Sequence, residues 1–71
     1  MLVVGNIGDT LKTLRLAKAL TQQELSDISG VAVSTIVKIE HGRSKPQMTT
    51  IRRLSRALKV LPDRLVLGHD D

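Results

Sequence analysis

Residues 21–42 read TQQELSDISGVAVSTIVKIEHG. Thr21 and Glu24 stand at capping-box spacing: the Thr hydroxyl accepts a backbone N–H three residues on, and the Glu carboxylate reaches back to the Thr N–H. A short helix should follow, with Leu25 and Ile28 on one face. Gly30 supplies the positive-φ residue that ends such a helix. A second short helix should run from about Val33 to His41 and stop at Gly42. At about 100° per residue, Ile36 and Ile39 turn inward together, while Ser34, Val37, Lys38 and His41 point the other way. Two helices joined by a tight glycine-containing turn make a helix-turn-helix, a unit whose second helix can lie in a DNA major groove.

Upstream, Asn6 is an N-cap with Asp9 in the first turn, where a carboxylate suits the helix dipole. The helix it opens runs to about Lys18, with Ile7, Leu11, Leu14 and Ala17 at helical spacing as its apolar face. Leu16 falls off that stripe and is either partly exposed or packed on a loop. Downstream, residues 43–47 form a polar loop, and a fourth helix spans about Met48 to Lys59 with Met48, Ile51, Leu54, Ala57 and Leu58 inward. Pro62 suits the first position of a fifth helix reaching Leu67, closed by Gly68. The expected fold is all-α: a compact bundle of five short helices in one domain over residues 1–71. The apolar lead-in at 1–5 can be a frayed end, a strand or an oligomer contact, and 69–71 is a polar tail.

Composition narrows the function. The 71 residues include no Cys and no aromatic residue. Disulfides, thiolate metal sites and base stacking on aromatic rings are therefore all excluded. The net charge is +4, unevenly placed. Residues 38–64 hold eight basic side chains (Lys38, Arg43, Lys45, Arg52, Arg53, Arg56, Lys59, Arg64) against Glu40 and Asp63. That half is the candidate anion-facing half, although such charges also occur on a merely solvated helix surface. No apolar run reaches the roughly 18 residues of a membrane span, and no signal-peptide pattern opens the chain, so the expected location is the cytoplasm.

Five blocks carry a resemblance: IGDTLKTLRLAK (7–18), LTQQEL (20–25), GVAVSTIVKIEHG (30–42), PQMTTIRRLSRALKV (46–60) and PDRL (62–65). In this order and spacing the chain resembles the Cro/repressor-type, XRE-like helix-turn-helix domains of phage and bacterial regulators. The resemblance implies a five-helix bundle of the phage-repressor type that binds double-stranded DNA, usually as a dimer. It places base-reading positions at Val33, Ser34, Val37 and Lys38. Phosphate contacts fall at Gln22, Thr35, Arg43 and Lys45, and a buried ion pair at Arg15 and Glu40. Gln22 would sit at a helix N-terminus, where free amides already favour an anion. Val33 and Val37 offer only methyl groups, suited to the thymine methyl, though Val33 can equally pack on the preceding helix. His41 can donate to a phosphate or simply end its helix. The chain departs from the family at Ala32 and Leu61, which stand where capping residues are usual, and at Ala19, which stands where Gly is usual. Ala19 therefore requires positive φ of a non-glycine residue, and Ser34 or Thr35 is left to satisfy the third helix's amides unless the core compensates.

The resulting expectation is a sequence-specific DNA-binding transcriptional regulator, a repressor on a palindromic operator as a homodimer. Leu61, Val66 and Leu67, with Leu2, Val3 and Val4, are apolar surplus that either forms the dimer contact or closes the core. The alternatives are an antitoxin or coactivator-like protein-interaction module gripping a toxin or other protein, and the DNA-binding domain of a longer regulator. Ser34, His41 and Asp70 form no recognisable triad, and His41, His69, Asp70 and Asp71 match no metal-ligand spacing. The expectation is therefore no enzyme, no cofactor and no metal.

Overall fold

The computed structural model describes residues 6–67; of Leu67 only the backbone is described. The alternatives for residues 1–5, the closure at Gly68 and the 69–71 tail lie outside the described residues. Five helices are present: α1 Ile7–Ala17, α2 Gln22–Ser29, α3 Val33–Glu40, α4 Met48–Leu58 and α5 Pro62–Leu67. No strand occurs among the described residues.

Local chemistry sets most of the boundaries. Asn6 Oδ1 accepts the Asp9 amide at 2.8 Å and opens α1. The capping box of α2 is complete: Thr21 Oγ1 accepts the Glu24 amide at 3.0 Å, and Glu24 Oε1 accepts the Thr21 amide at 2.8 Å. Gly30 follows α2 in the left-handed region. Lys18, His41 and Lys59 are cap residues, one position beyond their helices.

Three helices close with the same pair of backbone bonds. After α3, Arg43 N–H donates to Lys38 C=O at 2.8 Å and Gly42 N–H to Ile39 C=O at 3.0 Å. After α1 the equivalents are Leu20 to Arg15 and Ala19 to Leu16, and after α4 Val60 to Ser55 and Lys59 to Arg56. This closure needs a left-handed residue. Gly42 supplies it after α3 at φ 73°, but Ala19 and Lys59 adopt φ 58° and 60°. A Cβ in that conformation costs roughly 1–2 kcal/mol. Ala19 thus bears the strain expected from its sequence context, and Lys59 bears the same strain where a helical residue was expected.

The core comprises Leu11, Leu14, Leu25, Val31, Ile36, Ile39, Ile51, Leu54, Leu58 and Leu65. Leu65 brings α5 into that core, while Leu61 and Val66 stay exposed. α1 packs on α3 and α5, and α4 on α2 and α5.

Ile7 and Ala57 are partly buried and pack against that core, and three other expected core residues are exposed. Ala17 is exposed because the buried arc of α1 runs through Gly8, Leu11, Leu14 and Arg15, leaving Ala17 roughly 120° from its middle. Ile28 is 57% exposed. The inward arc of α2 holds Gln22, Leu25, Ser26 and Ser29, and Ile28 lies roughly 110° away. Met48 is half exposed; it stands at the first position of α4, at the margin of the arc centred on Ile51, Leu54 and Leu58. Leu16 is exposed, which settles its alternatives.

Candidate nucleic-acid interface

The polar junction behind α3 is built from three helices. Arg15 is an α1 residue whose aliphatic stem lies on the buried arc and whose guanidinium is buried with it. Its Nε donates to Glu40 Oε2 at 2.7 Å, and its Nη2 donates to Glu40 Oε1 at 3.1 Å. The remaining terminal nitrogen, Nη1, donates to the Leu20 carbonyl at 2.7 Å, in the turn before α2. Gln22, the first residue of α2, donates from Nε2 to Glu40 Oε1 at 3.0 Å. Glu40 is thus a fork-to-fork partner of Arg15 that also takes a third donor, and its side chain is only 3% exposed. Planar guanidinium and carboxylate match geometrically in this arrangement. The hydrogen bond to Glu40 raises the Arg15 pKa above its ordinary value, outweighing the opposite effect of burial.

Gly8 completes the seat. A Cβ there would run into the Ile39 carbonyl oxygen and come within 3.1 Å of that of Glu40. The first turn of α1 therefore lies directly against the C-terminal backbone of α3. Sequence reasoning passed over Gly8, yet a glycine inside a helix carries a cost of about 1 kcal/mol, and that cost is the signal of a close backbone approach. The Gln22–Glu40 bond also went unforeseen; Gln22 was expected on phosphate, and part of its donor capacity goes to the junction.

The opposite face of α3 is open. Ser34 and Lys38 are exposed, one turn apart. Val33, Thr35 and Val37 are half-buried, so their methyl groups are shared between the protein and the outer face. The N-terminus of α3 carries no side-chain cap: Ala32 offers none, and neither Ser34 nor Thr35 replaces it. The nearest side-chain bond is one step earlier, where Val31 N–H donates to Ser29 Oγ at 3.1 Å. Arg43 and Lys45 follow in an exposed loop ahead of α4. Arg52, Arg53 and Arg56 lie on the exposed side of α4, and Lys59, its cap, is exposed too. At the far end of the chain Leu61 is 72% exposed and Val66 49%; the Leu67 side chain lies outside the described residues.

The structure therefore brings Arg15, Gln22 and Glu40 together behind the helix and Ser34 with Lys38 in front of it. Leu61 and Val66 belong to a separate surface. This arrangement has a hydrogen-bonded back, an open helix face and exposed cations beside it, which suits insertion of the helix into a polyanionic groove.

Comparison with known proteins agrees. A family model described as helix-turn-helix matches residues 11–65. The chain is 42% identical over 65 residues to the HTH-type transcriptional regulator RghRB of Bacillus subtilis, a match that covers 87% of this chain and 47% of the relative. It therefore spans about half the length of that curated relative. Among solved structures, the restriction-modification controller protein C.AhdI from Aeromonas hydrophila superposes with a TM-score of 0.80 at 34% identity, over 83% of this chain and 89% of the other. The P22 c2 repressor in complex with a synthetic operator gives a TM-score of 0.85 at 26% identity, over 92% and 98%.

Proposed function

This chain belongs to the helix-turn-helix family of transcriptional regulators, and from that premise we propose that it binds specific double-stranded DNA as a repressor. The observation that carries this reading is α3 itself. One face is locked to α1 and α2 through Arg15, Glu40 and Gln22, and the other presents Ser34 and Lys38 to solvent. In the major groove Lys38 donates to guanine O6 and N7 or to a phosphate, Ser34 pairs with base edges, and the Val33 and Val37 methyls meet thymine methyls. Thr35, Arg43, Lys45 and the second N–H of Gln22 hold the backbone and so fix the register. The face has no Arg, Asn or Gln for bidentate base contacts, so groove shape carries much of the selectivity.

The protein acts as a homodimer on a palindromic operator in the cytoplasm. The exposed Leu61 and Val66 support a self-complementary contact; a two-fold dimer reads half-sites about 34–36 Å apart. Among the described residues no helix is long and apolar enough to cross a membrane.

Selection of bound sequences from random duplexes tests the whole reading. Recovery of a two-fold symmetric motif, with binding that weakens by a log–log salt slope of about −0.9 per phosphate contact, is the expected outcome. Binding indifferent to sequence and salt, or a monomer in sedimentation at high concentration both free and on the selected site, defeats the operator or the dimer claim respectively.

A further inference from the structure

The outer faces of α2 and α4 carry opposite charge. On α4, Arg52, Arg53, Arg56 and the cap Lys59 are exposed. At about 100° per residue, Arg52, Arg56 and Lys59 fall in one stripe with Arg53 beside it, on the side away from the buried Ile51, Leu54, Ser55 and Leu58. Among the described residues none of these four cations is paired with a carboxylate. On α2 the exposed residues are Gln23, Glu24, Asp27 and Ile28, a face with two carboxylates and no cation. Glu24 Oε1 accepts the Thr21 amide and Asp27 Oδ1 accepts from Gln23 Nε2, so each keeps its second carboxylate oxygen for another donor.

The two charged faces lie on helices that pack on each other, which makes the domain complementary to its own copy. Glu24 and Asp27 are three residues apart, and so are Arg53 and Arg56. A rise of 1.5 Å per residue separates each pair by about 4.5 Å along its helix, so two guanidinium forks meet two carboxylates in one register. Under a two-fold axis the α2 face of one copy lies on the α4 face of the other, and the reverse contact forms with it. Ile28, 57% exposed beside Asp27, adds apolar area to a contact otherwise made of charge. Resting on the DNA-binding reading above, we propose that this face joins neighbouring DNA-bound copies of the chain, so that filling one operator assists filling of the next.

The contact is separate from Leu61 and Val66 and from Ser34 and Lys38. A phosphate backbone would use the α4 stripe but be repelled by the α2 face beside it, which favours a protein surface bearing both signs. Exposed ion pairs are individually weak, and the contact is slight between free molecules. Copies held on adjacent sites are at high effective concentration, and the same contact then appears as cooperative binding.

The test uses the full chain on duplexes bearing one or two copies of a site selected from random DNA, with the spacing between the two stepped through a helical turn of about 10.5 bp. At the favourable spacing the second site should fill about tenfold more tightly than an isolated one, and the gain should shrink as salt rises. Asp27→Arg and Arg53→Glu change the net charge in opposite directions. Single-site affinity should rise in the first and fall in the second, while the gain disappears from both. The combined variant, with the charges exchanged, should recover it. Circular dichroism should be unchanged throughout, since both side chains are exposed. Independent filling at every spacing overturns the proposal and leaves DNA binding intact. So does a gain that survives either single variant, which assigns it to the DNA, or a combined variant that does not recover it. Failure to bind the one-site duplex overturns both this inference and the function on which it rests.

Discussion

The two ends of α3 are held by different means. At the C-terminal end, Glu40 receives three side-chain donors from α1 and α2, Gly8 admits the backbone of α1 against the Ile39 and Glu40 carbonyls, and Gly42 closes the helix without strain. At the N-terminal end there is no side-chain cap, and the restraint is apolar: Val31 and Ile36 are buried there. The helix is fixed by its tail, and the end that bears Val33 and Ser34 extends from that anchor. Directional hydrogen bonds set an angle, whereas apolar burial sets a depth with little directional preference. The C-terminal junction therefore determines how α3 is aimed, while Val31 and Ile36 hold the N-terminal end in depth.

The largest effect in this comparison is expected from Arg15→Met, which leaves the Glu40 carboxylate buried beside only Gln22. Removing one partner of a buried pair costs roughly 3–5 kcal/mol, much of the total stability of a domain this small. Chemical denaturation should show that loss, and a melting temperature equal to wild type with normal operator affinity would show that the junction does not anchor the helix. Gly8→Ala comes next. Its Cβ meets backbone rather than a flexible side chain, so α1 and α3 must move apart at a cost of about 1–3 kcal/mol. DNA affinity should fall by more than the loss of folded protein explains, because the reading angle changes; affinity that follows the folded fraction alone would confine Gly8 to stability. The smallest effect is a gain. Ala32→Ser should supply the missing cap and add about 1 kcal/mol, read as a higher denaturation midpoint. If that variant is no more stable, the N-terminal end of α3 already has its amides satisfied and the contrast between the two ends is weaker than described.

Much of the frame was legible because it rests on short-range chemistry. Asn6, Thr21 with Glu24, Gly30 and Gly42 act within a few residues of themselves, and their roles follow from spacing. The inward pair Ile36 and Ile39 follows from helical periodicity. The same arithmetic misplaced Ala17, Ile28 and Met48. On α1 and α2 a charged or polar residue takes part of the buried arc: Arg15 in one, Gln22 in the other. Apolar spacing alone cannot register an arc half made of polar groups that are satisfied elsewhere in the fold.

By itself, the sequence determined the number of helices, the caps at Asn6 and Thr21, the turn at Gly30 and an outward face of Ser34, Val37 and Lys38. These are consequences of local propensity and period, and they need no knowledge of what lies opposite. Only the tertiary structure decided that Gln22 shares Glu40 with Arg15, that Gly8 is a contact point between α1 and α3, and that Leu65 enters the core while Leu61 and Val66 do not. Most of these join residues distant in sequence: 25 positions separate Arg15 from Glu40, and 18 separate Gln22 from Glu40. The physical reason is that buried polar groups are stable only with their partners in place, and those partners meet only once the chain has folded.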